Sequence, residues 1–154
     1  MNIEFKRYTS GDFKSVKNLI EEVLAEHNFK ISVGGLQKDL ELLNSGSSYD
    51  NEKSSFWVAV DNKNVIGTVA IRNKDNNIAE LKRLYVHKDY RGLGIGKKLY
   101  MLAESFAKDK GYQYLWLDSS RRFKDAAKLY KKNGFKLLAE LDNDWEDNIY
   151  QKQL

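Results

Sequence analysis

Residues Val86 to Tyr100 read VHKDYRGLGIGKKLY, with Gly92, Gly94 and Gly96 at alternate positions and Lys97 and Lys98 directly behind them. Glycine in or beside a helix costs about 1 kcal/mol relative to alanine, so a cluster of three needs a physical reason. The first N–H groups of a helix have no intrahelical partner and carry the positive end of its dipole. A phosphate or diphosphate fits there, provided no Cβ stands in its way. The two lysines add ammonium groups on the same turn. Other glycine motifs match less well. An NTPase-type phosphate loop needs glycine and then serine or threonine at positions that hold Arg91 and Lys98. The dinucleotide fingerprint needs a third glycine where Lys97 stands, and a strand running directly into the first, whereas HKDYR intervenes.

The elements that must hold this loop follow from hydrophobic spacing. Ile3 to Tyr8 alternates as a half-buried strand does. Ser10 or Asp12 caps a helix whose apolar positions Phe13, Val16, Leu19, Ile20, Val23 and Leu24 recur at helical spacing. HNFKISVGG interrupts it, and a short helix from Leu36 to Leu43 leads into the polar loop Asn44 to Ser55, the most flexible-looking stretch of the chain. Strands are expected at Phe56–Val60, Val65–Ile71 and Ile78–Val86. Behind the glycines, Ile95, Leu99, Leu102, Ala103 and Phe106 mark a helix that ends at Gly111. YLWLD (Tyr114 to Asp118) reads as a buried strand. Ala126, Ala127, Leu129 and Tyr130 lie on a helix closed by Asn133-Gly134, before two final strands, FKLLAEL and NIYQKQL. The order β-α-α-β-β-β-α-β-α-β-β predicts one α/β domain over residues 1–154, with helices flanking a mixed, mostly antiparallel central sheet.

Composition removes several chemistries. The sequence has no cysteine, so disulfides, thiolate nucleophiles and cysteine zinc sites are impossible. His27 and His87 share no ligand spacing, and no metal site is expected. Both are read as surface residues. A net charge of +4 suits an anionic ligand, but no nucleic-acid recognition motif appears. No apolar run reaches the roughly 18 residues of a membrane helix, and the start lacks a secretory pattern, so a cytoplasmic location is expected.

ELKRLYVHKDYRGLGIGKKLY resembles the acetyl-CoA-binding motif of the GNAT N-acetyltransferase superfamily, Arg/Gln-x-x-Gly-x-Gly/Ala, which Arg91 to Gly96 satisfies. AAKLYKKNGFKLL resembles the second signature of that family, and the element order matches its fold. The resemblance implies acetyl-CoA as co-substrate, with pantetheine laid along Leu84, Tyr85 and Val86. Arg91, Gly92, Leu93, Gly94, Ile95, Gly96 and Lys97 would form the coenzyme-binding loop, the amides from Gly92 through Lys97 holding the diphosphate. It implies Tyr130 as general acid near the coenzyme sulfur and the Val86 N–H as oxyanion donor.

An amine acceptor must lose a proton, because an ammonium of pKa near 10.4 is below about 0.1% neutral at pH 7. Glu80, at the start of the coenzyme strand, and Asp118, at the end of YLWLD, are the candidate bases. With no cysteine to carry an acyl group, direct attack in a ternary complex is expected. The segment Glu140 to Asn148 contains five acids around Trp145 and would draw a small cationic amine to the last hairpin. Phe123 stands seven residues before Tyr130, where family members that modify protein N-termini often carry asparagine. The alternatives are an acyl-CoA-sensing module without turnover and a protein lysine acetyltransferase. A homodimer is left open.

Overall fold

The computed structural model describes all residues except 1, 32–34, 47, 48, 50 and 76. One seven-stranded sheet runs through the chain, built from β1 (Ile3–Arg7), β2 (Ser55–Asp61), β3 (Asn64–Asp75), β4 (Ile78–Val86), β5 (Tyr114–Ser120), β6 (Lys136–Glu140) and β7 (Asp147–Gln153). Its spatial order is β1-β2-β3-β4-β5-β7-β6. Every neighbouring pair is antiparallel except β4 and β5, which are parallel. The helices are α1 (Phe13–Glu26), α2 (Leu36–Asn44), α3 (Ile95–Asp109) and α4 (Lys124–Lys132).

The continuous apolar run of β2 is explained by burial on both faces. Phe56 and Val58 pack with Val16, Ile20 and Leu24 of α1 and Leu40 of α2. Trp57 and Ala59 point the other way, into a core with Leu99, Ala103 and Phe106 of α3. The same α1 positions that carry the helical spacing are buried, apart from the partly covered Phe13. On α3, Ile95, Leu99, Ala103 and Phe106 are buried as the spacing predicts, whereas Leu102 remains exposed. The observed elements match the expected order. Strand β3 extends four residues further than its apolar run, because Arg72–Asp75 keep pairing with β4 after their side chains leave the core. Parts of HNFKISVGG and of the polar loop lie outside the described residues. Near the loop's far end, the Tyr49 hydroxyl donates to Asp39 and Asn51 bridges to Ser54.

Helix α3 rests on the sheet through Gly67. A Cβ added there would stand 2.8 Å from Leu99 Cδ1, itself fully buried. Because overpacking costs about 1–3 kcal/mol, Gly67→Ala is expected to lower the melting temperature by several degrees, read by circular dichroism.

Candidate active site

Among the described residues, β4 pairs with β5 only at Ile78, Ala79 and Glu80, opposite Tyr114, Leu115 and Trp116. Beyond them β5 stays with β7 over its whole length, while Leu81 to Val86 have no strand on that edge. The sheet therefore opens as a V between two parallel strands. A cleft of about 650 Å³ occupies the opening, bounded by Leu84, Tyr85 and Val86 on one side and Asp118 and Tyr130 on the other.

The open edge presents unused backbone. The His87 N–H donates to the Ile66 carbonyl on the β3 side at 2.8 Å. By strand alternation the polar groups of Val86, and those of Leu84, point the opposite way, into the cleft. The Val86 carbonyl is met there by Arg91 Nε at 3.0 Å, while its N–H faces the opening. A bulge shapes this segment. Arg83 and Leu84 together face the single residue Val69, and Arg83 adopts φ of 55°, in the left-handed region. Three groups hold that strained residue. Thr68 Oγ1 donates to its carbonyl at 2.7 Å, Asp39 Oδ2 accepts from its Nε at 2.8 Å, and Tyr49 donates to the same carboxylate at 3.1 Å.

The glycine loop closes the cleft at the far end of β4. Gly92 and Gly94 have φ of 77° and 80°, and a Cβ on either would meet nothing within 4 Å. The space before them is open. The first backbone bond of α3 is donated by Lys98 to Gly94, at 3.0 Å. Among the described residues the amides from Gly92 through Lys97 donate to no backbone carbonyl, and they form a ready anion cradle. Gly96 differs, since its Cβ would lie an ordinary 3.5 Å from Val86 Cγ2. Arg91 anchors the loop to α1 by a bidentate pair with Glu26, at 2.7 and 3.0 Å, so its charge is already engaged.

Tyr130 is buried, its ring held between Phe135 and Tyr150 at centroid distances of 5.5 and 5.6 Å. Burial raises its pKa well above that of an ordinary phenol, Tyr85 adds to the rise, and the Ser119 hydroxyl partly opposes it. Asp118 carries no hydrogen bond or ion pair among the described residues and opens onto the cleft. Glu80 is buried and accepts from Arg72 Nη2 at 3.3 Å.

Glu80 instead belongs to a second cavity of about 560 Å³, which also involves Asp39, Arg72, Trp145 and Asp147. The two cavities share Lys82, Arg83, Tyr85, Asp118 and Phe123, so they meet at the split. One site thus has a long cradle for a phosphorylated ligand, a separate chamber for a second molecule, a carboxylate at their junction, and a phenol and a free strand amide on the wall of the first.

The sequence profile of the acetyltransferase (GNAT) family matches residues 20–135. The chain belongs to that family. As an N-acetyltransferase it is similar over 99% of its length, and of the other's, to a GNAT acetyltransferase structure from Staphylococcus aureus Mu50, at 28% identity and a TM-score of 0.87. The PaiA N-acetyltransferase of Thermoplasma acidophilum, in complex with coenzyme A, is 26% identical with a TM-score of 0.74 and full coverage of both chains. An N-acetylaspartate synthetase of Xenopus tropicalis is 42% identical over 84 residues, 54% of this chain but 31% of that protein.

Within this acetyltransferase most residues expected at the site do meet in one cleft: Leu84, Tyr85, Val86, Asp118 and Tyr130 gather with Arg91, Gly92, Gly94, Ile95, Gly96 and Lys97. The structure refines the remaining readings. The Leu93 side chain is exposed and does not line the cleft, leaving only its amide in the cradle. Lys98 turns away and lies 5.1 Å from the Phe5 ring centroid, so Lys97 is the one lysine of the pair at the cleft. Of the five acids on the last hairpin only Asp147 reaches the second cavity, and Arg122 takes Glu146 at 2.9 Å. Burial, helped by the charge of Asp118, raises the Asp147 pKa despite a hydrogen bond from Asn143. Neither histidine is a free surface residue: His27 packs edge-to-face with Phe123 at a centroid distance of 4.7 Å, and His87 pairs with Glu22 at 3.2 Å. Residues that sequence reasoning passed over are Asp39, Arg72, Lys82 and Arg83. Strand alternation from Glu80 does put Lys82 on the same face, a signal that was available.

Proposed function

We propose that this enzyme transfers the acetyl group of acetyl-CoA to a small primary amine, by direct attack in a ternary complex. The observation that carries the reading is the meeting of two cavities at the β4–β5 split, one ending in the glycine cradle. The diphosphate takes the amides of Gly92 through Lys97, with Lys97 beside it, and pantetheine adds to the free edge at Leu84 and Val86. Coenzyme A in the PaiA relative supports this assignment.

The amine enters from the second cavity as an ammonium, drawn by Asp118 and Asp147. Asp118 takes its proton, the nitrogen attacks the thioester carbon, and the Val86 N–H receives the developing oxyanion. The C–S bond then breaks, the sulfur leaves as thiolate toward Tyr130, and the second proton shed by the acylated nitrogen passes to the departing thiolate. Because burial raises the Tyr130 pKa, the phenol acts chiefly as a hydrogen-bond donor that stays neutral as pH rises. Glu80 holds Arg72, so the role of base goes to Asp118 in this reading. The absence of cysteine rules out an acyl-cysteine intermediate.

Tyr130→Phe is expected to lower kcat roughly 10- to 100-fold, the worth of a hydrogen bond to a charged group, with little change in coenzyme affinity. A raised pKa keeps the phenol protonated, so the wild-type rate should show no alkaline fall from this group below about pH 10. Stopped-flow kinetics across pH check both. The reading as a whole is tested by thiol release from acetyl-CoA with a panel of amines, amino acids, polyamines and aminoglycosides. Amine-dependent release with intersecting double-reciprocal lines is expected. Parallel lines would reject the ternary complex, and binding without release would leave only a sensing module.

A further inference from the structure

We propose that the amine this enzyme acetylates also carries a carboxylate, and that Lys82 is the residue that holds it. The inference rests on the acetyl-transfer reading of the same site and concerns which amines enter the second cavity.

The charges around the second cavity pair unevenly. Arg83 is engaged by Asp39 at 2.8 Å, and Arg72 by Glu80 at 3.3 Å and Asp39 at 4.0 Å. Arg122 is taken by Glu146 at 2.9 Å. Lys82 makes no hydrogen bond or ion pair with any described residue, although it lies where the two cavities meet. Its charge is disfavoured there. Burial lowers its pKa, the Arg83 and Arg72 cations add to the effect, and Glu80 and Asp39 only partly oppose it. A half-buried cation without a partner in a concave site is costly unless a ligand supplies the anion.

The coenzyme does not supply that anion. Its diphosphate belongs to the glycine cradle beyond Val86, and Lys82 precedes Val86 by four strand residues, roughly 13 Å. The pantetheine arm between them is neutral. The anion must therefore come from the acceptor. Across the same cavity Asp118 and Asp147 pair with no cation among the described residues, and the Asp147 carboxylate accepts only from Asn143, at 3.1 Å. Lys38 also lines this cavity without a partner among the described residues, but it is exposed, so the half-buried Lys82 is the cation that, facing the unpaired carboxylates, complements a zwitterion. The substrate's ammonium goes toward Asp118 and its carboxylate toward Lys82. The Lys82 ammonium matches a singly charged carboxylate, and a chamber of about 560 Å³ accommodates a molecule of amino-acid size.

The test compares amino acids with their own neutral amides, which are nearly isosteric, in thiol-release assays. For the preferred acceptor, kcat/KM for the acid is expected to exceed that for the amide by roughly tenfold or more, as loss of a charged hydrogen bond implies. Lys82→Met should bring that ratio close to one, chiefly through the KM of the acid, and Lys82→Arg should retain most of it. Should Lys82→Met melt below the assay temperature, the wild-type ratio decides alone. Equal use of acids and amides by the wild type would overturn the proposal while leaving acetyl transfer intact. A ratio unchanged in Lys82→Met would also overturn it. Failure of every amine to release thiol would remove the acetyl-transfer reading, and this proposal with it.

Discussion

Gly94→Val is expected to abolish acetyl-CoA binding at concentrations that saturate the wild type, a loss of affinity above roughly 100-fold. Gly94 sits at φ of 80° immediately before α3, and the space in front of its Cα is empty of protein atoms. A valine there would project into the volume assigned to the diphosphate, and a branched residue would resist the left-handed backbone that aims the amides. The strain alone costs about 1–2 kcal/mol, which a folded domain can tolerate, so calorimetry and a thermal melt separate lost binding from lost fold. Gly96→Ala is the matched control. Its φ is ordinary and its Cβ would meet Val86 at a comfortable 3.5 Å, so near-normal affinity is expected. Unchanged binding in folded Gly94→Val would mean the cradle holds no phosphate.

The second large effect concerns the base. Asp118→Asn is expected to reduce kcat about 100- to 1,000-fold, the range for loss of a positioned general base, while Glu80→Gln reduces it less than about tenfold. The contrast comes from their surroundings. Asp118 opens onto both cavities without a partner, whereas Glu80 is buried against Arg72 and stays on the acceptor side. An Asp118→Asn enzyme that keeps kcat and only raises KM would make this carboxylate a docking group. A stronger loss in Glu80→Gln than in Asp118→Asn would reverse the assignment.

The sequence carries the parts of this site that are local. The glycine loop, the end of α3 just before Gly111 and the strand at Ile78–Val86 each follow from a few adjacent residues, and all are observed. The split was different. That β4 leaves β5 after Glu80 depends on which strands become neighbours and how far their pairing runs, a property of the whole sheet. The bulge at Arg83 is equally nonlocal, because it is held by Thr68 on β3 and by Asp39 on α2. A charged residue on a short polar helix gives no local sign that it will be buried. Lys98 is a different case, since successive helical residues lie about 100° apart and adjacent lysines cannot both face one ligand. The hairpin acids looked like a single negative surface, but Arg122 neutralises Glu146 across 24 residues of sequence.

A structure with acetyl-CoA bound would show where each part of the coenzyme lies. The diphosphate is expected on the amides of Gly92 through Lys97, pantetheine along Leu84 and Val86, and the thioester between the Val86 N–H and Asp118. The sulfur should then lie within hydrogen-bonding reach of Tyr130. Coenzyme seated in the second cavity, or with its diphosphate away from the glycine loop, would contradict it.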